Sequence, residues 1–213
     1  MIQPKSQPSG RGRRPDPSKR QAIIEAARRL FMEQGYEVSM EAIALAAGVS
    51  KQTIYNAFAT KEDLYVAIVE QSVDGVTRVV AEPDPHAEPA EVLTTLGRNF
   101  MTLMLEERAI RLKRMLVATG TQYPRLGELF YRAGPGLARR RLADYLAGET
   151  RRGRLACPDA MVAAEHFFGM MSGHVHLCTL LGVAIEPAMD VEGRVAHAVG
   201  AFLRAYGADA GNH

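Results

Sequence analysis

The residues from Ser50 to Asn56 carry the most specific chemistry in the chain. Ser50, Lys51, Gln52, Thr53, Tyr55 and Asn56 offer hydrogen-bond donors, acceptors and one cation, with no bulky aliphatic in the set. Groups of this kind suit base edges and phosphate oxygens, and glutamine matches adenine when it bonds through both amide atoms. To act together they must stand on one face of a rigid element. Ile54 and Phe58 lie one helical turn apart, so a helix turns both inward and leaves the polar set outside.

The preceding residues supply the support. Ser39 stands at an N-cap position ahead of Met40, Ile43 and Ala47, which recur at helical spacing. Gly48 stops that helix, because glycine takes the left-handed C-cap conformation without steric penalty. Ser50 restarts it as a second N-cap. Two short helices around a glycine turn, the second polar outside, predict a helix-turn-helix whose second helix reads a major groove. A purely structural helical hairpin has the same outline, and the flanks weigh against it. Thr60, with Asp63 three residues later, forms a capping box that starts another helix directly behind the reading helix.

Ahead of the motif, residues 1–16 are rich in Pro, Gly, Ser and cations and predict a disordered basic arm. Within it Arg13 and Arg14, with Arg11, suit an adjacent minor groove. Asp16-Pro17 then reads as N-cap and first turn of an amphipathic helix with Ile23, Ala27, Leu30 and Phe31 on one stripe, ended by Gly35. Net charge is +2, but residues 1–61 hold ten Lys/Arg against five Asp/Glu, so the cations concentrate in the first third. That asymmetry points to a polyanionic partner for this part alone.

In this order, the segments GYEVSMEAIALAAGVSKQTIYNAF and ATKEDLYVAIVE behind an amphipathic helix resemble the TetR family of one-component transcriptional regulators. The resemblance covers about residues 17–70, and the run AGVSKxTxYxxFxxKExL is its specific part. Lys51, Gln52 and Thr53 are the candidates for base-edge contacts, Asn56 is a further DNA-binding candidate, and the resemblance implies that Tyr55 and Lys61 sit at phosphate-binding positions. Ser39 and Ser50 would cap helices pointing at the DNA backbone. Ala57 departs from the family, where many members carry His or Tyr, so no phosphate contact is expected from it. The run YPRLGELFYRAGP resembles an AcrR/AefR-like body.

No period-2 alternation and no Asn-Gly hairpin appears, so the expected fold class is all-α. The arm 1–16 and a helix-turn-helix domain over 17–62 precede a helical ligand-binding and dimerisation domain over 63–213. Helices are expected over about 64–80, 90–106, 110–118, from Tyr123-Pro124, after Gly134-Pro135-Gly136, and over 159–181 and 191–206. The segment 159–181 is apolar round most of its circumference, which implies burial on more than one side. By resemblance, 159–181 and 191–206 form the interface of a homodimer that reads a palindromic operator on double-stranded DNA. A small apolar ligand would bind between the helices of 90–181, with Phe100, Met104, Met115, Tyr123, Phe130, Phe167, Met170 and His174 as candidate wall, and release a repressor. Ligand-responsive activation is the alternative within the family.

Other chemistries fit less well. His174 and Cys178 share the i, i+4 offset of helical metal ligands, but further ligands are lacking, so no metal and no cofactor is expected. No nucleophile elbow, P-loop or dinucleotide motif occurs, which leaves an all-α small-molecule-processing enzyme as the rival class. Two cysteines do not build a disulfide framework, and no apolar run spans a bilayer. A cytoplasmic protein without membrane partners is expected.

Overall fold

The computed structural model describes residues 16–185 and 189–208, which form ten helices and no strand among the described residues. They are α1 (Pro17–Gln34), α2 (Met40–Ala46), α3 (Lys51–Ala57), α4 (Lys61–Ala81), α5 (Pro89–Leu105), α6 (Glu107–Thr119), α7 (Pro124–Ala133), α8 (Pro135–Arg151), α9 (Ala160–Leu181) and α10 (Val191–Tyr206). One isolated antiparallel bridge joins Leu155 to Gly207.

The helix starts follow the sequence signals. Asp16, Ser39 and Ser50 accept backbone N–H bonds from Ser18, Ala42 and Thr53. Thr60 and Asp63 complete the reciprocal capping box that opens α4. Gly48, with φ of +66°, makes the turn between α2 and α3. Each satisfied cap contributes on the order of 1 kcal/mol, which matters for helices as short as α2 and α3.

Two apolar cores result. The first joins Ile23, Ala27 and Phe31 of α1 to Ile43 of α2, Ile54 of α3 and Leu64, Tyr65 and Ile68 of α4. Leu116 of α6 and Leu126 of α7 pack into it as well. The second joins Val76 and Val80 of α4 to Leu93 and Leu96 of α5, Leu142 of α8, Phe167 of α9 and Phe202 of α10. Phe167 and Phe202 are fully buried and meet edge to face at 5.4 Å. Burial of side chains this large contributes about 1.5–3 kcal/mol each. The first half of α4 thus packs with α1–α3 and its second half with the body. A division at residue 62 cuts its first turn.

One element differs from expectation. The apolar segment 159–181 is not a regular helix: at Gly173 φ is +41° and ψ is −138°, which breaks α9. The orphaned carbonyl of Met171 accepts a 2.6 Å bond from Nε of Arg194 on α10. Only glycine adopts this backbone without strain, so the residue serves the kink.

Candidate nucleic-acid interface and the cavity behind it

Ile54 and Phe58 are buried, and this orientation leaves Ser50, Lys51, Gln52, Tyr55 and Asn56 exposed, with Thr53 half-buried. The six side chains predicted from the sequence therefore share one surface. They are already bonded, four among themselves and two to Glu41. Ser50 Oγ and Thr53 Oγ1 lie 2.8 Å apart, and Gln52 Nε2 donates to Asn56 Oδ1 at 2.8 Å. Lys51 Nζ is 2.7 Å from Oε1 of Glu41 on α2, and the Tyr55 hydroxyl approaches the same oxygen at 3.4 Å. The ammonium holds the Glu41 carboxyl below its usual pKa, and Glu41 raises that of Lys51. Glu41 was not among the sequence candidates. Its signal was weak, since it is an ordinary first-turn acid of α2.

Ser39 caps α2 through Ala42 N–H at 3.1 Å. Lys61 is placed differently from a free phosphate ligand. Its Nζ donates to the carbonyls of Tyr36 at 2.7 Å and Val38 at 3.3 Å, and it lies 4.4 Å from the Tyr36 ring centroid. The ammonium thus fastens the α1–α2 loop to the start of α4. Burial, with Glu62 nearby, pushes the Tyr36 phenol up to about 12. Arg13, Arg14 and the rest of 1–15 lie outside the described residues.

Behind this surface lies a cavity of about 770 Å³. It is not confined to the helices of 90–181. Arg28 and Phe31 of α1, and Tyr65, Ile68 and Val73 of α4, form one side. Of the predicted wall, Phe100, Met104 and Phe130 line it. Met115, Tyr123, Phe167, Met170 and His174 do not. Phe167 lies inside the second core, and Tyr123 stacks edge-on against Tyr36 and donates to Glu37. Met115 packs against the first core, while Met170 and His174 turn outward. Helical periodicity finds which residues face inward but not which of two inward surfaces they reach.

The polar groups of the cavity were also missed. Arg28, Arg108, Lys113 and Arg139 line it against Glu106 and Glu165. Arg108 Nε pairs with Glu106 at 2.6 Å, and Arg139 with Glu165 at 3.0 Å. Arg28 bonds to Gln71 at 2.8 Å and lies 3.8 Å from Glu25. Lys113 has no ion pair among the described residues. The Tyr65 hydroxyl and the Nε atoms of Arg28 and Arg139 are buried without a protein hydrogen-bond partner among the described residues. Burial drives the Tyr65 phenol well above its usual pKa.

Helix α9 joins the cavity to the outer surface. His176 and Leu180, beyond the kink, line the cavity, while Leu177 and Leu181 on the same segment are exposed. Arg114 of α6 holds this segment through the carbonyls of Thr179 and Leu180, at 2.6 and 3.1 Å. These are C-terminal helix carbonyls, which need external donors. Among the described residues no three His, Cys, Asp or Glu side chains gather as a metal site, and no helix is long and apolar enough to cross a membrane.

Residues 23–68 match the profile of bacterial regulatory proteins of the tetR family. Residues 91–208, more than half the chain, match that of the AefR-like transcriptional repressor C-terminal domain. The solved structure of a flavonoid-responsive regulator, FrrA, is similar at TM-score 0.69 and 31% identity, over 89% of this chain and 97% of that one. The HTH-type transcriptional activator FasR of Mycolicibacterium smegmatis is 35% identical over 80 residues, 35% of this chain and 36% of FasR. The HTH-type transcriptional repressor AcnR of Corynebacterium diphtheriae is 37% identical over 65 residues, 30% of this chain and 34% of AcnR. The matched stretch thus spans about a third of each of these two curated relatives.

Proposed function

Because the chain belongs to the TetR family of bacterial transcriptional regulators, we propose that it is a repressor that binds a palindromic operator as a homodimer and releases it when a small, largely apolar ligand fills the cavity. One observation carries this reading. The cavity is walled by α1 and α4, so an occupant touches the helices that also build the reader's core. A ligand that fits one angle of α4 better than another shifts the equilibrium by that difference in affinity.

On this reading Lys51, Gln52, Thr53 and Asn56 contact base edges, while Ser39, Ser50 and Tyr55 contact the backbone. Lys61 supports the loop beside them, and Arg13 and Arg14 enter the adjacent minor groove. The exposed apolar side chains of α9, among them Val162, Leu177 and Leu181, support a dimer interface through 159–181 and 191–206. Two copies would set their α3 helices about 34–36 Å apart, one turn of DNA. Repression is favoured by the AefR-like repressor profile over the body, although FasR is named an activator. FrrA, named for its response to flavonoids, supports an organic effector of modest size. The protein would act in the cytoplasm and catalyse nothing.

The test is a titration against DNA from the chain's own upstream region, with an unrelated duplex as control, at low and moderate salt. Preference for the upstream duplex that survives moderate salt supports a specific regulator. Absence of binding to either duplex at low salt overturns the reading. Turnover of a bound small molecule would establish the enzyme class instead.

A further inference from the structure

The cavity is mostly apolar, yet its charges do not balance. Of its four lining cations, Arg108 and Arg139 are matched by Glu106 and Glu165, and Arg28 is served by Gln71 and Glu25. Lys113 on α6 stands without a carboxylate among the described residues and is half-buried, which pushes its pKa down. His176 of α9, exposed on its other side, also lines the cavity, and partial burial, with the Lys113 charge nearby, lowers the pKa of its ring. An ammonium and an imidazole therefore face the same space, and no carboxylate among the described residues pairs with either. A buried cation without a partner is costly, and an opposite charge relieves the cost. Tyr65, fully buried with a hydroxyl that has no hydrogen-bond partner among the described residues, adds a donor on the α4 side.

We propose that the cavity takes an amphipathic organic monoanion, its apolar body against Phe31, Val73 and Phe100 and its carboxylate on Lys113 and His176. This rests on reading the cavity as the effector site and names the class of effector. The head group would then sit between α6 and the end of α9, the segment that Arg114 ties to α6 and that carries the exposed Leu177 and Leu181. The apolar body lies against α1 and α4. One molecule thus touches both the reader's supports and the segment of α9 whose opposite face is exposed.

The experiment uses the full chain and a neutral fluorescent reporter, N-phenyl-1-naphthylamine, displaced in parallel by dodecanoate and by dodecanol. Wild type should release the reporter to dodecanoate at a concentration on the order of tenfold lower than to dodecanol, as a charge-assisted bond in a mostly apolar cavity implies. Lys113→Met should abolish that preference while dodecanol acts as before, and Lys113→Arg should keep it. Removing an unpaired buried charge does not threaten the fold, so the Met variant is a fair test. Equal displacement by both compounds in wild type would overturn the anion assignment and leave the cavity as an apolar site. A preference that survives Lys113→Met would overturn the role of Lys113. A reporter that does not bind, or is displaced by neither compound, would sink the cavity reading and this inference with it.

Discussion

On the reading surface the polar side chains are paired with neighbours: Lys51 with Glu41, Gln52 with Asn56, Ser50 with Thr53. In the cavity behind it, Tyr65, Arg28 and Arg139 each keep a buried polar atom without a protein partner among the described residues. Exposed bonds exchange readily for bonds to water or DNA, since a typical one contributes only about 0.5–1.5 kcal/mol net. A buried unpaired group costs about 1–3 kcal/mol until something satisfies it. The surface is therefore organised to change partners at little cost, and the cavity to gain from acquiring one. On the proposed function, that asymmetry would let a ligand act as the driver and the DNA contact as the readout, because whatever binds one state alone stabilises that state.

The largest expected effect asks whether the two regions are one cooperative unit. Ile54 is fully buried in a core shared with Leu116 and Leu126 from the body. Ile54→Ala should destabilise the reader by about 2–5 kcal/mol and abolish DNA binding. In urea denaturation followed by circular dichroism, a single transition at lower midpoint is expected. Two separated transitions would show that the reader melts alone and that the shared core couples little.

Lys61→Ala comes next. Its ammonium bonds to two carbonyls in the α1–α2 loop, so the loss should register as about 1.5–3 kcal/mol of stability. Thermal melting should fall while the salt dependence of DNA binding keeps its slope. A slope reduced by about one, with melting unchanged, would return Lys61 to the phosphate contacts. Gln52→Ala follows, with melting unchanged and a loss of about 1–3 kcal/mol in discrimination if Gln52 bonds a base through both amide atoms. Binding-site selection from random duplexes would show relaxed preference at one position; an unchanged preference would remove Gln52 from the reading set.

The reader was legible because its determinants are local. Caps at Ser39, Ser50 and Thr60, the turn at Gly48 and the one-turn spacing of Ile54 and Phe58 all lie within a few residues of what they control. Helix α10 was legible for the same reason, with Asp190 accepting from Gly193 N–H at its start. The cavity was legible only in part, at Phe100, Met104 and Phe130, because the rest of its wall comes from helices far apart in the chain. Phe31 and Tyr65 look like ordinary core residues from their own periodicity, and both are core residues that also face the cavity. Phe167 shows the converse, an aromatic on the expected helix that turns to Phe202 instead. The break at Gly173 escaped because an apolar run with a glycine reads as a helix tolerating it; the backbone angles there show the kink, and Arg194 bonds to Met171 beside it. Glu41 meets Lys51 across the turn, a contact no helical spacing predicts.

The smallest expected effect bears most directly on whether the surface pairing is incidental. Glu41 holds Lys51 and reaches Tyr55, so its carboxylate lies among the groups proposed to meet DNA, where it also repels phosphate. Both partners are exposed, and exposed pairs contribute little to stability. Glu41→Gln should therefore leave melting unchanged. It should free the Lys51 ammonium, tighten binding to all duplexes a few-fold at low salt, and steepen the salt dependence as an added phosphate contact would. The pH dependence has a defined sign. Because Lys51 depresses the Glu41 pKa, the pair persists above the usual glutamate range and is lost only as pH falls through the lowered value. Wild type and Glu41→Gln should thus differ at neutral pH and converge at acid pH. Weaker DNA binding by the Gln variant at neutral pH would mean that Glu41 positions Lys51 for the groove, and the pairing would then be part of the reading geometry.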